Sequence, residues 1–287
     1  MNLKSQMRDE IIMLSESRQF PDDTSYRSLA VETVVNLSGK FGIPGQHVEI
    51  VALEEGIVPE RYARNMKTFS PRDQATLLKS QVSVVGLGGL GGAVIEILAR
   101  VGIGTLKLID GDTFEDSNLN RQFLSAPDML ENSKAKTAAK RVNWINASVV
   151  VQTYFENLTE TNAIEYVDNS DVVVDCLDNL KTRFVLESAS KKIGSPFVSS
   201  AVAGVSGHVT TIFPEDEGLV LIYGKDGSLV PKGAEASLGC LPQAVTVLAA
   251  LECSEVIKII LNRGDTLRNR LLIIDLMDNT LEVLKLL

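Results

Sequence analysis

The sequence has 287 residues, 45% of them hydrophobic, which is enough to build a large folded core and argues against wholesale disorder. Its 28 basic and 37 acidic side chains give a formal charge of -9, and an acidic surface repels nucleic-acid phosphates. The three cysteines, Cys176, Cys240 and Cys253, form no CxxC pair, which argues against a four-cysteine zinc site and against a disulfide-stapled secreted domain. Because of the acidic charge, we expect no binding to nucleic acid.

A membrane location is not expected either. The first 20 residues mix acidic and basic side chains and lack the apolar centre of a signal peptide. The longest apolar stretch, 244–261, is interrupted by Glu252, Glu255 and Lys258, so it predicts a core helix and not a membrane span. These features predict a cytoplasmic protein.

Residues 1–60 are predicted to form a small helical N-terminal appendage. Apolar residues at helical spacing predict one helix over 3–18, and a second is predicted over 25–40, after a break at 21–23. The type of the segment 46–55 is left open. No motif here indicates a chemical role, so the function of the appendage is left open as well.

From residue 81 onwards, strands alternate with helices, which is typical of a Rossmann-like α/β fold with a doubly wound, mostly parallel sheet. The strands predicted for this sheet are 81–85, 105–109, 149–154, 171–176 and 197–200. We assign residues 61–287 to one nucleotide-binding domain.

The end of the chain has a different pattern. Residues 209–213 predict a strand that leads into a long loop, 216–238, containing a short hairpin. Two further strands, 271–276 and 280–286, are separated by a turn at Asp278-Asn279, which predicts antiparallel pairing at the C-terminal edge.

A glycine-rich loop follows the first strand of the predicted sheet. Gly86, Gly88 and Gly91 form a GxGxxG pattern between a strand and a helix, where backbone N–H groups can approach a phosphate. Asp110 ends the second strand, where a carboxylate can accept hydrogen bonds from a ribose. By itself this pattern indicates a nucleotide and leaves an NAD-dependent oxidoreductase open.

Other polar segments favour a nucleoside triphosphate. Residues 117–122 read SNLNRQ, Lys134 begins a later helix, and residues 175–179 read DCLDN at the end of a buried strand. Arg121 and Lys134 can neutralise phosphate charge beside the glycine loop. Asp178 is the candidate Mg²⁺ ligand, because this ion prefers one or two carboxylates together with phosphate oxygens.

These segments have the order and approximate spacing found in the ThiF/MoeB/HesA family of ubiquitin-activating-enzyme-like adenylyltransferases, which the chain resembles from about Arg61 to its C-terminus. Residues 61–64, RYAR, resemble the family's RYxRQ segment, although Asn65 replaces the glutamine. The resemblance implies that ATP and Mg²⁺ are used to adenylate the C-terminal Gly-Gly carboxylate of a small ubiquitin-like sulfur carrier, of the kind serving molybdopterin or thiamine synthesis. Adenylation of a peptide C-terminus or a tRNA-linked carboxylate is the alternative within the same chemistry.

The resemblance also implies roles for individual residues. The residues implied to bind the nucleotide are Gly86, Gly88, Gly89, Asp110, Asn118, Arg121 and Lys134. Asp178 is implied to bind Mg²⁺ and, with Arg121, to support adenylation. Arg64 matches an arginine that reaches into the ATP site of the partner subunit, which implies a homodimer with composite sites. Asp175 is assigned to local structure.

The chain departs from the family at its cysteines. The two CxxC pairs that hold a structural zinc in many members are absent, so no structural zinc is expected. Cys240 is the only candidate for a persulfide or thioester step, but it lies a few residues beyond the expected position, directly before Leu241-Pro242. We interpret it as a core residue, because free cysteine often packs as a small hydrophobe, and a sulfur-transfer step by this protein is unsupported.

Overall fold

The computed structural model describes residues 3–225 and 235–287. The strands are β1 Glu16–Gln19, β2 Ser25–Leu29, β3 Ile57–Pro59, β4 Gln81–Val85, β5 Thr105–Ile109, β6 Val150–Tyr154, β7 Val172–Asp175, β8 Phe197–Ala203, β9 Ser206–Ile212, β10 Arg270–Asp275 and β11 Thr280–Lys285. The helices are α1 Leu3–Leu14, α2 Val31–Phe41, α3 Gly45–Glu54, α4 Pro71–Lys79, α5 Gly89–Val101, α6 Lys134–Ile145, α7 Ala163–Val167, α8 Leu180–Ile193, α9 Val220–Tyr223, α10 Glu235–Leu238 and α11 Pro242–Leu261.

The large sheet has the strand order β11-β10-β9-β8-β7-β4-β5-β6. Strands β8, β7, β4, β5 and β6 run parallel to one another, whereas β9, β10 and β11 are added in antiparallel pairs. The predicted Rossmann-like fold, with a mostly parallel sheet and antiparallel C-terminal strands, is confirmed. The carboxyl ends of β4, β5, β6 and β7 therefore meet at one edge of the sheet, where ligands collect in such folds.

The sheet is covered on both faces, which explains the continuous apolar sequence of β7. Val172 and Val174 point into a core cluster shared with α5, α6 and α11, whereas Val173 points into a second cluster shared with α7 and α8. Successive strand residues face opposite sides, so a strand buried on both sides needs apolar residues at every position. The apolar stretch 244–261 lies within α11, as predicted, and buries Glu252 and Glu255.

The appendage has the predicted helical character but also contains a three-stranded sheet, β1-β2-β3. The helix predicted over 3–18 is wrong at its end, because α1 stops at Leu14 and residues 16–19 form β1. The helix predicted over 25–40 is wrong in its first part, because residues 25–29 form β2 and pair with β1 in an antiparallel hairpin. The break at 21–23 is the hairpin turn, in which Asp23 has a φ of +62°. The segment 46–55, whose type was left open, lies almost wholly in α3. The division of the chain at residues 60 and 61 stays a prediction.

The loop predicted over 216–238 is described only in part. Within this range the described residues form two short helices, α9 and α10. Residues 226–234, on which the predicted hairpin partly falls, lie outside the described part of the chain. Across the ranges 3–225 and 235–287, no helix combines the length and the apolar character needed to cross a membrane.

A buried polar cluster joins the appendage to the end of α6. Glu49 on α3 is fully buried; its Oε1 lies 3.1 Å from Nε of Arg61, and its Oε2 accepts a hydrogen bond of 3.2 Å from the Tyr62 hydroxyl. The same hydroxyl accepts a bond of 2.9 Å from Asn146 Nδ2, at the end of α6. Burial raises the pKa of Glu49 to about 7, against the opposing charge of Arg61.

The raised pKa makes the stability of the protein depend on pH at this junction. Because the folded-state pKa of Glu49 exceeds its ordinary value of 4.5, the stability it contributes is fully present below pH 4.5 and is lost as the pH rises through about 7. We expect the free energy of unfolding to fall by about 3 kcal/mol over this window through Glu49 alone. Urea unfolding at a series of pH values measures it.

The matched variants are Glu49→Gln and Glu54→Gln, on the same helix. Glu49→Gln, which cannot ionise, is expected to flatten the decline in stability between pH 4.5 and 7. Glu54 is 43% exposed and forms surface ion pairs with Lys4 and Lys79, so Glu54→Gln is expected to keep the wild-type slope. A Glu49→Gln variant with the wild-type slope would contradict the role assigned to the buried carboxyl.

Candidate functional site

A cavity of about 460 Å³ opens at the carboxyl edge of the parallel sheet. It is lined by the loops that follow β4, β5, β6 and β7, by the first residues of α5 and α6, and by residues near the start of α11. The predicted site residues that line it are Gly86, Gly88, Gly89, Asp110, Arg121, Lys134 and Asp178. Segments that are widely separated in the sequence therefore meet in one cavity, as the positions of the strand ends predicted.

The glycines of the loop have two different functions. Gly86 has a φ of +89°, and a Cβ there would lie 2.6 Å from the carbonyl oxygen of Cys176; a Cβ at Gly91 would lie 1.8 Å from the carbonyl oxygen of Gly86. These two glycines let the loop and α5 pack tightly. Gly88 and Gly89 line the cavity at the start of α5, where unpaired helical N–H groups favour an anion.

Gly86→Ala is expected to destabilise the fold by about 2–4 kcal/mol, because the new methyl group meets the Cys176 carbonyl at a backbone conformation that alanine disfavours. Gly194→Ala is the matched control, since Gly194 has a similar φ of +77° but no atom within 4 Å of the position that a Cβ would take. It is expected to cost only about 1 kcal/mol. Urea unfolding of both variants checks the difference, and equal losses would contradict the packing role of Gly86.

Asp110 closes β5 with its carboxylate beside the glycine loop. Its Oδ2 accepts a hydrogen bond of 2.6 Å from the Leu87 amide, and its Oδ1 accepts one of 2.7 Å from the Asp112 amide. Burial raises the pKa of Asp110, while these two amide donors act in the opposite direction. Each carboxylate oxygen has a second lone pair, so the group can also accept hydrogen bonds from ribose hydroxyls.

Lys134 supplies positive charge from the start of α6. The preceding residue, Ser133, caps the helix by accepting a bond of 3.3 Å from the Lys136 amide. The Lys134 side chain is only 9% exposed, and its Nζ donates to Asp112 Oδ2 over 3.1 Å. Asp112 is 63% exposed, so the counter-ion can move away while the ammonium group stays at the cavity.

Arg121 lies at the cavity beside the glycine loop. Its Cγ is 3.7 Å from the position of a Cβ on Gly89. Nη1 donates to the carbonyl oxygen of Ser117 over 2.9 Å and to Asn120 Oδ1 over 2.8 Å. Within the described part of the chain Nε and Nη2 make no hydrogen bond, so these donors are available to a phosphate group.

Asn118 does not line the cavity, unlike Arg121 and Gln122 of the same segment. It is buried in the short 3-10 helix Asp116–Asn118, and its Oδ1 accepts a hydrogen bond of 3.2 Å from the Glu115 amide. Its side chain thus closes the turn that carries Arg121. The phosphate contact implied for Asn118 stays a prediction, and the geometry favours a supporting role.

Asp178 lies at the cavity with an exposed carboxylate. Its Oδ1 accepts one long hydrogen bond of 3.4 Å from Asn179 Nδ2. Asn179 caps α8 by accepting a bond of 2.9 Å from the Thr182 amide. Among residues 3–225 and 235–287 there is no group of three or more His, Cys, Asp or Glu side chains able to hold a metal ion.

Arg64 lies outside the cavity of its own chain. It is exposed on the 3-10 helix Glu60–Asn65, next to the buried Tyr62 and Ala63. It could therefore act at a nucleotide site only across an interface with another subunit.

Gln122 and Arg183 line the cavity but were missed from the sequence. Gln122 is 6% exposed, its Nε2 lies 3.4 Å from the position of a Cβ on Gly88, and its buried Oε1 has no partner in the described part of the chain. Its place at the end of SNLNRQ was a signal that could have identified it. Arg183 gave no such signal, because an arginine within a helix resembles a surface residue.

Cys240 also lies at the cavity, which the sequence interpretation as a core residue did not foresee. It is half-buried, and its Sγ is 3.6 Å from the carbonyl oxygen of Val202. Cys176 and Cys253 are both buried, and Cys176 also borders the cavity. Burial raises the pKa of both thiols well above the ordinary value, so both stay protonated.

Comparison with known proteins places the chain in one family. The model of the ThiF family matches residues 62–286. The SAMP-activating enzyme E1 of Haloferax volcanii is 37% identical over 228 residues, which cover 78% of this chain and 83% of the relative. The sulfur carrier protein adenylyltransferase of Thermus thermophilus is 32% identical over 235 residues, covering 76% of this chain and 84% of the relative.

The fold is also found among solved structures. The crystal structure of E. coli MccB with AMPCPP and MccA superposes with a TM-score of 0.67 over 79% of this chain and 71% of that chain, at 23% sequence identity. This likeness concerns the fold. The match to the family model and the identity to its members together show that the chain belongs to the ThiF family, whose named relatives are adenylyltransferases and activating enzymes.

Proposed function

We propose that the protein uses ATP to adenylate the C-terminal Gly-Gly carboxylate of a small ubiquitin-like sulfur-carrier protein and releases pyrophosphate. The observation that carries the proposal is the convergence of Arg121, Lys134 and Asp178 around the start of α5 in one cavity. The names of the relatives support the acceptor, since one activates SAMP and another adenylates a sulfur carrier protein. The nicotinamide alternative is not favoured, because it gives these charged residues no role.

The residues of the cavity suit a triphosphate that has to be held still while its α-phosphate is attacked. Asp110 accepts hydrogen bonds from the ribose, the start of α5 receives the phosphates, and Arg121 and Lys134 neutralise their charge. The carrier carboxylate attacks the α-phosphorus and pyrophosphate leaves, so catalysis consists mainly of positioning and charge neutralisation. Gln122 can donate from Nε2 to the reacting phosphate group.

The residues present also fit Mg²⁺. Asp178 has an exposed carboxylate with a single long bond, and the described residues offer no protein-only cage for a metal. This agrees with an ion that takes one or two carboxylates and completes its shell with phosphate oxygens and water. When bound, Mg²⁺ would neutralise charge on the leaving pyrophosphate. The absence of a structural zinc and the cytoplasmic location stay predictions, which metal analysis and cell fractionation test.

We also propose a homodimer in which Arg64 completes the ATP site of the partner subunit. The exposed position of Arg64, outside its own cavity, supports this arrangement. Arg64→Ala and Asp178→Ala are each expected to inactivate a homodimer. A heterodimer purified after coexpression of the two variants keeps one intact site and is expected to recover about half of the wild-type activity. A heterodimer as inactive as both parents would contradict the composite site.

Titration calorimetry tests the nucleotide that the cavity binds. Binding of ATP with Mg²⁺ at about one site per subunit, without binding of NAD, is the expected result. Mass spectrometry of candidate carriers, peptides and tRNA after incubation with ATP then identifies the adenylated acceptor. Adenylation of a peptide C-terminus or a tRNA-linked carboxylate alone would replace the sulfur carrier as substrate, and binding of NAD alone would overturn the proposal.

A further inference from the structure

The side chain of Asp178 makes too few contacts to fix the position of its carboxylate at the cavity. It is exposed, and its side chain makes only the 3.4 Å bond from Asn179 within the described part of the chain. Its position must therefore be set by the backbone on its two sides. On the C-terminal side, Asn179 fixes the chain by capping α8, with bonds of 2.9 Å from the Thr182 amide and 2.6 Å from the Thr182 hydroxyl.

On the N-terminal side, Leu177 is held at both its backbone groups by a buried ion pair. Its amide donates to Asp175 Oδ1 over 3.1 Å, and its carbonyl oxygen accepts a hydrogen bond from Arg183 Nη2. Arg183 Nη1 lies 3.0 Å from Asp175 Oδ2, so the two groups that hold Leu177 are also bound to each other. Both are deeply buried, with exposures of 0% for Asp175 and 4% for Arg183.

The surroundings fix the guanidinium group itself. Nη1 also donates to the carbonyl oxygen of Ser200 over 2.6 Å, and the Ser199 hydroxyl donates to Asp175 Oδ2 over 2.7 Å. The pair is thereby tied to β8, the neighbour of β7 in the sheet. A planar guanidinium can meet carboxylate and carbonyl acceptors together from both Nη atoms, which a lysine ammonium on a flexible stem does not match.

We infer that Arg183, acting with Asp175 through the backbone of Leu177, is the positioning residue that sets Asp178 at the cavity. The inference rests on the proposed function for the importance of Asp178 to adenylation. It assigns no contact with ATP to Arg183. Through these contacts, the Asp175–Arg183 pair fixes the backbone before Asp178 relative to β7 and β8. Without the pair, the Asp178 carboxylate would lie on a short exposed loop.

Arg183→Lys tests this assignment, because it keeps the buried positive charge opposite Asp175. It removes the second guanidinium nitrogen, which donates to the carbonyl oxygen of Leu177. Arg141→Lys is the control for the same substitution at another ion-paired arginine, since Arg141 Nε lies 2.7 Å from Glu96 Oε2 in a more exposed pair that does not line the cavity. If Arg183→Lys does not fold, the double variant Asp175→Asn with Arg183→Gln removes both buried charges together, so that neither is left unpaired, and it is expected to loosen 176–179 in the same way.

The first readout is hydrogen exchange of the protein without ligand. Arg183→Lys is expected to speed amide exchange at 176–179 by about tenfold or more, with the rest of the sheet unchanged, whereas Arg141→Lys leaves 176–179 as in the wild type. The second readout is carrier-dependent ATP–pyrophosphate exchange, in which the kcat of Arg183→Lys is expected to fall by about 10- to 100-fold while the KM for ATP stays within about twofold.

Unchanged hydrogen exchange at 176–179 in Arg183→Lys would overturn the inference. A wild-type kcat in this variant, together with faster exchange at 176–179, would also overturn it. A general loss of stability would instead speed exchange throughout the sheet, which would also overturn it. Failure of the proposed function is distinguishable, because the wild-type protein would then show no pyrophosphate exchange, while hydrogen exchange would still decide whether Arg183 holds the segment.

Discussion

Asp178→Ala is expected to lower carrier-dependent ATP–pyrophosphate exchange by about 100-fold or more. The carboxylate is exposed at the cavity and makes only one weak bond within the described part of the chain, so its removal should not disturb the fold. What is lost is the group proposed to hold Mg²⁺ against the phosphates. Initial rates at saturating ATP and carrier measure the effect.

Asp116→Asn is the matched control for Asp178→Ala. Asp116 is an exposed carboxylate on the short helix next to Arg121, but it does not line the cavity. The control is expected to keep wild-type exchange and the same melting temperature. Wild-type exchange by Asp178→Ala, in a protein with unchanged melting, would remove Asp178 from the proposed site.

Arg121→Ala is expected to weaken ATP binding and to lower exchange by about 10- to 100-fold each. This range corresponds to the loss of one or two charge-assisted hydrogen bonds from Nε and Nη2 to phosphate oxygens. Unlike Asp178→Ala, this variant should raise the dissociation constant of ATP measured without Mg²⁺, because the guanidinium meets the nucleotide directly. Calorimetry in the presence of a chelator separates the two effects.

The control for Arg121→Ala is Arg72→Ala, which removes an exposed arginine on α4, away from the cavity. Its ATP affinity and exchange rate are expected to match the wild type. An Arg121→Ala variant whose affinity and exchange lie within about twofold of the control would show that the bonds to Ser117 and Asn120 are the whole function of this arginine.

Much of the site could be predicted because its residues follow strand ends. Asp110 and Asp178 come after β5 and β7, and the glycine loop comes after β4. In a parallel sheet these ends meet at one edge, so order along the chain translates into proximity. The two-sided burial of β7 was likewise visible in its continuous apolar sequence.

Other parts depend on packing that no local pattern reveals. All residues of β1 are polar and exposed, so neither helical nor strand periodicity identified the hairpin of β1 and β2. The parallel pairing of β2 with Ile57–Pro59, which completes this sheet, joins segments that are distant in the sequence. The role of Asn118 in closing its own turn was likewise not visible in the sequence, and the phosphate contact implied for this residue stays a prediction. Arg183 was missed because its burial results from contacts with Asp175 and β8, which the sequence of α8 does not show.

The most direct test of the proposed adenylation is ATP–pyrophosphate exchange by the purified protein, with Mg²⁺, in the presence and absence of a sulfur carrier that ends in Gly-Gly. The proposal predicts exchange that requires the carrier and disappears when its last glycine is removed, because the terminal carboxylate is then displaced from the α-phosphate. Absence of exchange with every Gly-Gly carrier of the same genome, from a protein that binds ATP, would contradict the proposed function.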